Sequence, residues 1–430
     1  MARDNCSPAE QDLIDRARRV LPAGGFGNFD TSVVIARGRG GRVWDESGNE
    51  YVDFLLGSGP MLVGHGHPEV LEAVQRQLPK GTTFFANNAE GIRLAEMICD
   101  AMACADKVRF VSSGSEADMY AMRLARAHTG RDKILKFEGG YHGMSESSLI
   151  SLAPKKLVNF PVGVPDSAGI PAAVRDNMLI APFNDIEFAR QFIAEHAHEL
   201  AGVIVEPFQR LIPPVPGFLE ALREETKKHG IVLIFDEVVT GFRLAYGGAQ
   251  ERYGVTPDLC TLGKVIGGGF ALAAIAGSDE VMAHFDKDRV GEAGFTFQIG
   301  TLSGNPVASV AGMATMEILR RPGAYEKIEA TGRTIMKALE ENFARVGIPA
   351  RVVGVPALFD VVFTKGPVRN YRDVFGADQA RQKRFNALMR ASGILKGESK
   401  FYISLAHDAD DIAHTVGAIR SAADSMAGEA

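Results

Sequence analysis

Short apolar runs alternate with helical patterns through the middle of the chain. Residues 108–111, 202–205 and 231–235 are nearly continuous apolar runs of strand length. One helical face follows the first run, with apolar residues spaced three and four apart: Ala117, Tyr120, Ala121, Leu124 and Ala125. Continuous apolar strands separated by helices indicate a mainly parallel sheet covered on both faces.

The two ends of the chain have different patterns. Residues 41–45 and 50–54 are strand-like on either side of the turn sequence at 46–49, which predicts a β-hairpin. Residues 358–363 and 401–405 are also strand-like, and carboxylates at 408–411 suit the start of a final helix. We therefore predict an α/β protein with a large sheet domain and a smaller α+β C-terminal domain. The expected ranges are an N-terminal segment 1–55 that packs with the small domain, a large domain 56–306, and a small domain 307–430.

Composition narrows the class of protein. The 430 residues are 46% hydrophobic and 23% charged, as in ordinary globular proteins. A net charge of −6 without a long basic run argues against nucleic acid as a partner. No apolar run reaches the ~20 residues that span a bilayer, and the first ten residues lack a signal-peptide core. The four cysteines are scattered and form no zinc-ligand spacing, so we expect a cytoplasmic protein without a metal site.

Three predicted strand ends carry polar groups, and in open α/β sheets ligands bind at the carboxyl ends of the strands. The first, Ser113-Gly114-Ser115, opens a helix whose free N–H groups favour a phosphate, although either serine could simply cap the helix. The second, Asp236, could bind a metal, a ribose or a protonated ring nitrogen, or cap a helix. The third, Lys264, lies in an apolar, glycine-rich loop. A lysine buried there becomes a nucleophilic amine, whereas an exposed lysine would be an ordinary surface charge.

Together the three strand ends match what pyridoxal phosphate requires. An amine must hold the aldehyde of this cofactor, a carboxylate must keep its pyridine nitrogen protonated, and a phosphate cup must anchor its tail. Lys264, Asp236 and the Gly114-Ser115 turn supply these groups. A dinucleotide dehydrogenase is excluded because no G-x-G-x-x-G motif follows an early strand.

Long motifs carry a family resemblance over nearly the whole chain. FDEVVTGFR, GGAQERYGVTPDL and TLGKVIGGG lie within residues 234–269, and GTLSGNP spans 300–306. With these motifs the chain resembles class III pyridoxal-phosphate-dependent aminotransferases, and especially glutamate-1-semialdehyde aminomutases. The resemblance implies the type I fold of pyridoxal-phosphate enzymes, with a homodimer whose active sites are shared.

The resemblance also implies roles for individual residues. Lys264 matches the lysine that binds the cofactor as a Schiff base and then moves the substrate proton, and Asp236 matches the partner of the pyridinium nitrogen. Val238 matches an apolar residue under the cofactor ring, Tyr141 matches an aromatic residue stacked on the ring, and Gln209 matches a glutamine near the ring hydroxyl. Gly114 and Ser115, beside Ser113, match the phosphate cup. Thr301 matches a threonine that reaches the phosphate of the other subunit.

The substrate-binding edges differ from the aminomutase pattern. Aminomutases of this family carry a serine and an arginine near the N-terminus that hold the substrate carboxylate, and residues 24–31 have neither. Lys400 or Arg243 could bind a carboxylate instead, or each could be structural. Phe26, Phe29, Phe84 and Phe85 could line an apolar pocket or pack in a core. We therefore expect transfer from an amine or a non-α-amino acid to a keto acid such as pyruvate, with glutamate-1-semialdehyde 2,1-aminomutase activity as the alternative.

Overall fold

The computed structural model describes residues 6–428, which divide into two units. The larger unit contains Glu69–Tyr325 and the short segment Gly366–Gly376. The smaller unit contains the described chain up to Pro68, Glu326–Lys365, and the described chain from Ala377 onward. The boundary predicted at 55 lies at residue 68. The boundary predicted at 306 lies at residue 325, because the helix that follows residue 306 packs within the larger unit.

The described α-helices are, in chain order, α1 Pro8–Val20, α2 Pro68–Gln77, α3 Ala89–Ala101, α4 Gly114–Thr129, α5 Ala172–Asp176, α6 Ile186–Glu195, α7 Phe218–His229, α8 Gly248–Tyr253, α9 Asp279–Met282, α10 Lys287–Gly294, α11 Pro306–Leu319, α12 Ala324–Arg345, α13 Tyr371–Phe375, α14 Gln379–Ala391 and α15 Ala409–Ala427. Short 3-10 helices occur at Pro22–Gly24, Leu56–Ser58, Leu78–Lys80, Lys264–Gly267 and Ala283–Phe285. Among the described helices, none is long and apolar enough to cross a membrane.

The described strands are β1 Ile35–Arg39, β2 Arg42–Asp45, β3 Glu50–Asp53, β4 Lys107–Val111, β5 Lys133–Phe137, β6 Met178–Ala181, β7 Leu200–Val205, β8 Val232–Asp236, β9 Leu259–Leu262, β10 Ala273–Gly277, β11 Arg351–Val355, β12 Leu358–Val362, β13 Ile394–Leu395 and β14 Phe401–Tyr402. The predicted hairpin, the three apolar strands and the final helix are all present. The predicted strand at 401–405 is shorter, because the Ser404 hydroxyl accepts from Ala406 N and turns the chain.

The larger unit is built on a seven-stranded sheet in the order β4-β10-β9-β8-β7-β5-β6. Only β10 is antiparallel to its neighbours, so the other six strands point the same way. Strands β7 and β8 are buried at every residue, which explains their continuous apolar sequences. The mixed α/β architecture with a large, mainly parallel sheet is the predicted one, and the prediction is confirmed.

The glycine run that follows Lys264 makes room for a helix. A Cβ atom on Gly268 would lie 2.4 Å from the carbonyl oxygen of Ala311 in α11. A Cβ atom on Gly312 would lie 2.0 Å from the carbonyl oxygen of Ile266. Glycines on both sides therefore allow close contact between the lysine loop and α11.

The smaller unit contains a four-stranded sheet, β1-β2-β3-β13, and a three-stranded sheet, β11-β12-β14. Its core holds a buried ion pair in which Lys396 Nζ lies 2.7 Å from Asp360 Oδ2. Lys396 also donates to Asn386 Oδ1 and to the Gly397 carbonyl, so the buried ammonium has three oxygen partners. This set of partners makes Lys396 structural, since both charges are withdrawn from solvent and compensate each other.

Candidate functional site

The predicted polar groups lie at one edge of the large sheet. Asp236 is the last residue of β8, and Glu206 directly follows β7. Thr261 of β9 is the register partner of Asp236, and Lys264 comes three residues later. Because β7, β8 and β9 are parallel neighbours, their carboxyl ends meet at the same edge. The sequence motifs are therefore brought together by the sheet.

Asp236 belongs to a buried hydrogen-bond network. His142 Nδ1 donates to Asp236 Oδ2 at 2.8 Å, and both side chains are at most 5% exposed. The other oxygen, Oδ1, accepts from Val238 N at 3.1 Å. No helix begins at this point, since α8 starts only at Gly248, and the helix-cap interpretation of Asp236 is therefore wrong.

A second carboxyl group, Asp118 of α4, lies beside Asp236 and was missed by the sequence analysis. Burial, and then the negative charge of Asp236, raise the pKa of Asp118 well above its usual range. Thr261 Oγ1 donates to Asp118 Oδ1 at 2.6 Å. The raised pKa favours the neutral acid form of Asp118 beside Asp236. The sequence signal that could have identified Asp118 is its place as a polar residue next to the apolar positions of the α4 pattern.

Ligand atoms of Asp118, His142 and Asp236 all lie within 4.8 Å of one another, which is close enough for a metal ion. The atoms are already joined by hydrogen bonds to one another and to Thr261 and Val238. We therefore interpret the three side chains as a network that orients and charges Asp236.

Tyr141 and His142 lie on a loop that is held from three sides. The backbone N–H of Tyr141 donates to Glu206 Oε2 at 2.9 Å. Gly143 has a φ of 86°, and a Cβ atom there would come within 2.5 Å of Ser115 Cα. Ser115 Oγ accepts from Met144 N at 3.1 Å, so the loop packs against the first turn of α4.

The start of the loop is held by an ion pair that links distant parts of the sequence. Arg372 of α13 donates twice to Glu138, from Nε at 2.7 Å and from Nη2 at 3.1 Å. Its Nη2 also donates to the Val158 carbonyl. A Cβ atom on Gly139 would lie 2.7 Å from the Cβ atom of Tyr371. Neither Arg372 nor Glu138 was predicted, because a separation of 234 residues leaves no local pattern.

The first turn of α4 offers free amide groups. Ser113 caps the helix by accepting from Glu116 N, and Glu116 Oε2 accepts from Ser113 N in return. No described hydrogen bond uses the N–H groups of Gly114 or Ser115. The two amides and the helix dipole therefore form an anion-binding end. A Cβ atom on Gly114 would lie 2.9 Å from Val238, so only glycine fits between that end and Val238.

Lys264 has a strained backbone and lies within electrostatic range of the carboxyl pair. Its φ of 48° is in the left-handed region, which a non-glycine residue adopts at a cost. Its side chain is partly exposed, while Gly263 and Val265 beside it are buried. Its positive charge lowers the pKa of Asp118, an effect that burial and Asp236 outweigh.

Gln209 is buried beside the Tyr141 loop. Its Nε2 donates to the Glu138 carbonyl at 2.9 Å, whereas its Oε1 has no hydrogen-bond partner. A Cβ atom on Gly140 would lie 3.4 Å from that oxygen. The unsatisfied oxygen is therefore aimed into the region between Gly140 and His142, where a donor would stabilise it.

The structure does not bring Thr301 into this network. Thr301 is exposed, its carbonyl accepts from Thr83 Oγ1 at 3.3 Å, and no described hydrogen bond joins it to the other predicted site residues. Of the alternative carboxylate binders, Arg243 is 1% exposed and Lys400 is 9% exposed. Of the four phenylalanines only Phe29 packs on the core, whereas the others are more than half exposed: Phe26, Phe84 and Phe85.

Comparisons with known proteins agree with this geometry. The family model "Aminotransferase class-III" matches residues 26–418. Glutamate-1-semialdehyde 2,1-aminomutase 2 of Brevibacillus brevis is 42% identical over 390 residues, which cover 89% of each chain. The structure of an omega-transaminase from Sphaerobacter thermophilus superposes with a TM-score of 0.91 at 37% identity, over 98% of each chain. A β-phenylalanine aminotransferase from Variovorax paradoxus has a TM-score of 0.85 at 32% identity, over 97% of this chain and 94% of that one.

The match to the family model extends over most of the chain, and the fold agrees with that of solved transaminases. Enzymes of this family use pyridoxal phosphate. This cofactor needs an anion-binding group, a carboxylate and an amine, and the first turn of α4, Asp236 and Lys264 carry groups of these three kinds. The chain therefore belongs to the class III aminotransferases, enzymes that depend on pyridoxal phosphate.

Proposed function

We propose that this enzyme transfers an amino group from an amine or a non-α-amino acid to a keto acid such as pyruvate. The observation that carries the proposal is the sequence at residues 24–31, which lacks the serine and arginine that hold the substrate in glutamate-1-semialdehyde aminomutases. The transaminases among the similar structures support it. Aminomutase activity remains the second candidate, because a relative with 42% identity carries that name.

We further propose how the described residues hold the cofactor. The amides of Gly114 and Ser115 bind its phosphate, Asp236 pairs with its ring nitrogen, and Lys264 joins its aldehyde. Tyr141 and Val238 would hold the two faces of the ring, and Gln209 Oε1 would accept from a donor near the ring hydroxyl. When bound, pyridoxal phosphate supplies an electron sink that stabilises negative charge on the substrate carbon.

The protein's own contribution is charge, orientation and proton transfer. His142 and Val238 N fix the plane of the Asp236 carboxylate, and the raised pKa of Asp118 beside it favours a neutral neighbour. The Lys264 amine would move the proton between the substrate carbon and the cofactor carbon that carried the aldehyde. The left-handed backbone at Lys264 fixes the direction in which this side chain leaves the loop.

A donor panel tests the proposed reaction. We expect alanine to accumulate when the purified enzyme is incubated with pyruvate and either 1-phenylethylamine or 3-amino-3-phenylpropanoate, measured by chromatography. Glutamate-1-semialdehyde is the control substrate, since an aminomutase converts it without net transfer to a keto acid. Efficient isomerisation of this compound, with no alanine from any donor, would contradict the proposal and favour the second candidate.

We also propose that the enzyme is a homodimer in which Thr301 completes the partner's site. The loops around residues 83–88 and 297–304 contact each other through Thr83 and through Asn88 Nδ2, which donates to the Gly304 carbonyl at 2.9 Å. Exposed apolar side chains cluster on these loops: Phe84 51%, Phe85 65%, Phe297 67%, Ile299 60% and Leu302 49%. A patch of this kind is typical of an interface.

Sedimentation measures the dimer directly. We expect Ile299→Asp to shift the protein from dimer to monomer, because a charge buried in an apolar interface is unpaired. Val162→Asp is the matched control, since Val162 is 58% exposed and lies beside β6, the opposite edge of the sheet. A wild-type protein that sediments as a monomer would refute the homodimer.

A further inference from the structure

Arg210 is presented on a tight turn directly after Gln209. Gln209 N donates to the Ile212 carbonyl at 3.0 Å, and Ile212 N donates to the Gln209 carbonyl at 2.8 Å. Arg210 has a φ of 59°, in the left-handed region that non-glycine residues rarely adopt. A strained residue in a fixed turn next to a candidate site is a common mark of a functional role.

The Arg210 side chain lies over the ring of Tyr141. Its guanidinium carbon is 5.3 Å from the ring centroid, and the residue is partly buried. The positive charge of Arg210 lowers the pKa of Tyr141, although burial of the phenol outweighs this effect and raises it. The contact places a guanidinium next to the aromatic residue that we propose lies against the cofactor ring.

No described hydrogen bond or salt bridge uses the Arg210 guanidinium. The arginine beside the same loop, Arg372, is by contrast fully engaged with Glu138 and the Val158 carbonyl. A guanidinium that lies on an aromatic face keeps its planar N–H edge available for an acceptor. The acceptor that fits this edge best is a carboxylate, which it binds through two parallel hydrogen bonds.

We propose that Arg210 is a specificity-determining residue that binds the carboxylate of the keto acid and of carboxylate-bearing amino donors. This role rests on the proposed function, because it assumes that substrates bind beside Tyr141. It accounts for carboxylate recognition without the N-terminal arginine of the aminomutase pattern. Buried Arg243, at 1% exposure, does not need to serve that purpose.

Two donors that differ by a carboxylate test this role. The half-reaction is followed by the absorbance of the bound cofactor with 3-amino-3-phenylpropanoate and with 1-phenylethylamine. We expect Arg210→Gln to lower kcat/KM roughly 10- to 100-fold for the first donor, as for loss of a charged hydrogen-bonded pair. The change for the second donor should stay within about threefold, and Arg210→Lys should recover only part of the loss, because a lysine binds as a point charge.

Arg123→Gln is the matched control. Arg123 lies 4.9 Å from the ring of Tyr120 in the same unit, so this variant removes an arginine–tyrosine contact that is exposed and remote from the strand ends. Neither donor should be affected by it. Equal losses for both donors in Arg210→Gln, or no loss for either, would overturn the proposal, since the first result indicates packing on Tyr141 and the second indicates no contact with substrate.

A binding measurement separates this role from the proposed reaction. Calorimetry with 3-phenylpropanoate, which carries a carboxylate but no amine, should show affinity for the wild-type protein that falls at least roughly tenfold in Arg210→Gln. This loss would support the role of Arg210 even if neither donor reacted, in which case only the proposed reaction fails. Equal affinity in both proteins, or no detectable binding to the wild type, would overturn it.

Discussion

Replacement of Lys264 by alanine is expected to abolish the visible absorbance of the bound cofactor and to lower the rate at least about 10⁴-fold. The variant loses the amine that joins the cofactor covalently and also the base that moves the substrate proton. Absorbance spectra and single-turnover rates measure the two losses separately. Lys264→Arg is a useful companion, because it keeps the positive charge while it cannot form the covalent bond.

A second lysine with a reactive amine allows the assignment of Lys264 as the cofactor-binding residue to be tested. Lys136 of β5 is completely buried, and burial lowers its pKa to about 7, so its amine is also chemically reactive. Its Nζ, however, donates to the Ser148 carbonyl at 2.7 Å inside the core. After borohydride reduction of the wild-type enzyme, we expect peptide mapping to find the cofactor on Lys264. Modification of Lys136 instead, or a covalent adduct that persists in Lys264→Ala, would contradict the assignment.

Replacement of Asp236 by asparagine is expected to lower kcat roughly 10²- to 10³-fold, the usual cost of removing one preorganised electrostatic group. The amide has nearly the shape of the carboxylate but carries no charge to keep a ring nitrogen protonated. Rates at saturating substrate and the spectrum of the bound cofactor measure the effect. The loss should appear in kcat, because the carboxylate acts on the transition state more than on substrate binding.

Asp118→Asn is the matched control for this prediction. Asp118 is as deeply buried as Asp236 and lies next to it, but burial and the charge of Asp236 raise its pKa, which favours the neutral acid. Asparagine replaces a neutral acid with a neutral amide, so the loss in kcat should remain below about tenfold. A loss as large as that of Asp236→Asn would show that the charge is shared by the pair, and would contradict its assignment to Asp236.

Much of the fold and of the candidate site was predictable from local sequence. The large sheet is visible as continuous apolar runs, because strands buried on both faces have no polar side. Lys264, Asp236 and the Gly114-Ser115 turn stand out because each interrupts or closes such a run with a group that packing does not need. Their proximity also follows from sequence, since parallel strands end at one edge of a sheet.

The domain boundaries were less predictable. The helix after residue 306 has an apolar pattern that suits either unit, and its contacts with α3 and with the lysine loop assign it to the larger one. The segment Gly366–Gly376 lies in the sequence of the smaller unit but packs with the larger unit. Such choices depend on which surfaces meet after folding, and a pattern along the chain does not contain that information.

The sequence by itself determined the family, the cofactor and the residues that close the strands, because these depend on local patterns and long motifs. Only the tertiary structure showed that Asp118 shares the Asp236 network, that Arg372 holds Glu138, and that Arg210 lies over Tyr141. These contacts join residues far apart in the chain, and each depends on side-chain directions that packing sets. The hydrogen-bond network around Asp236 and the proposed carboxylate site therefore come from long-range geometry.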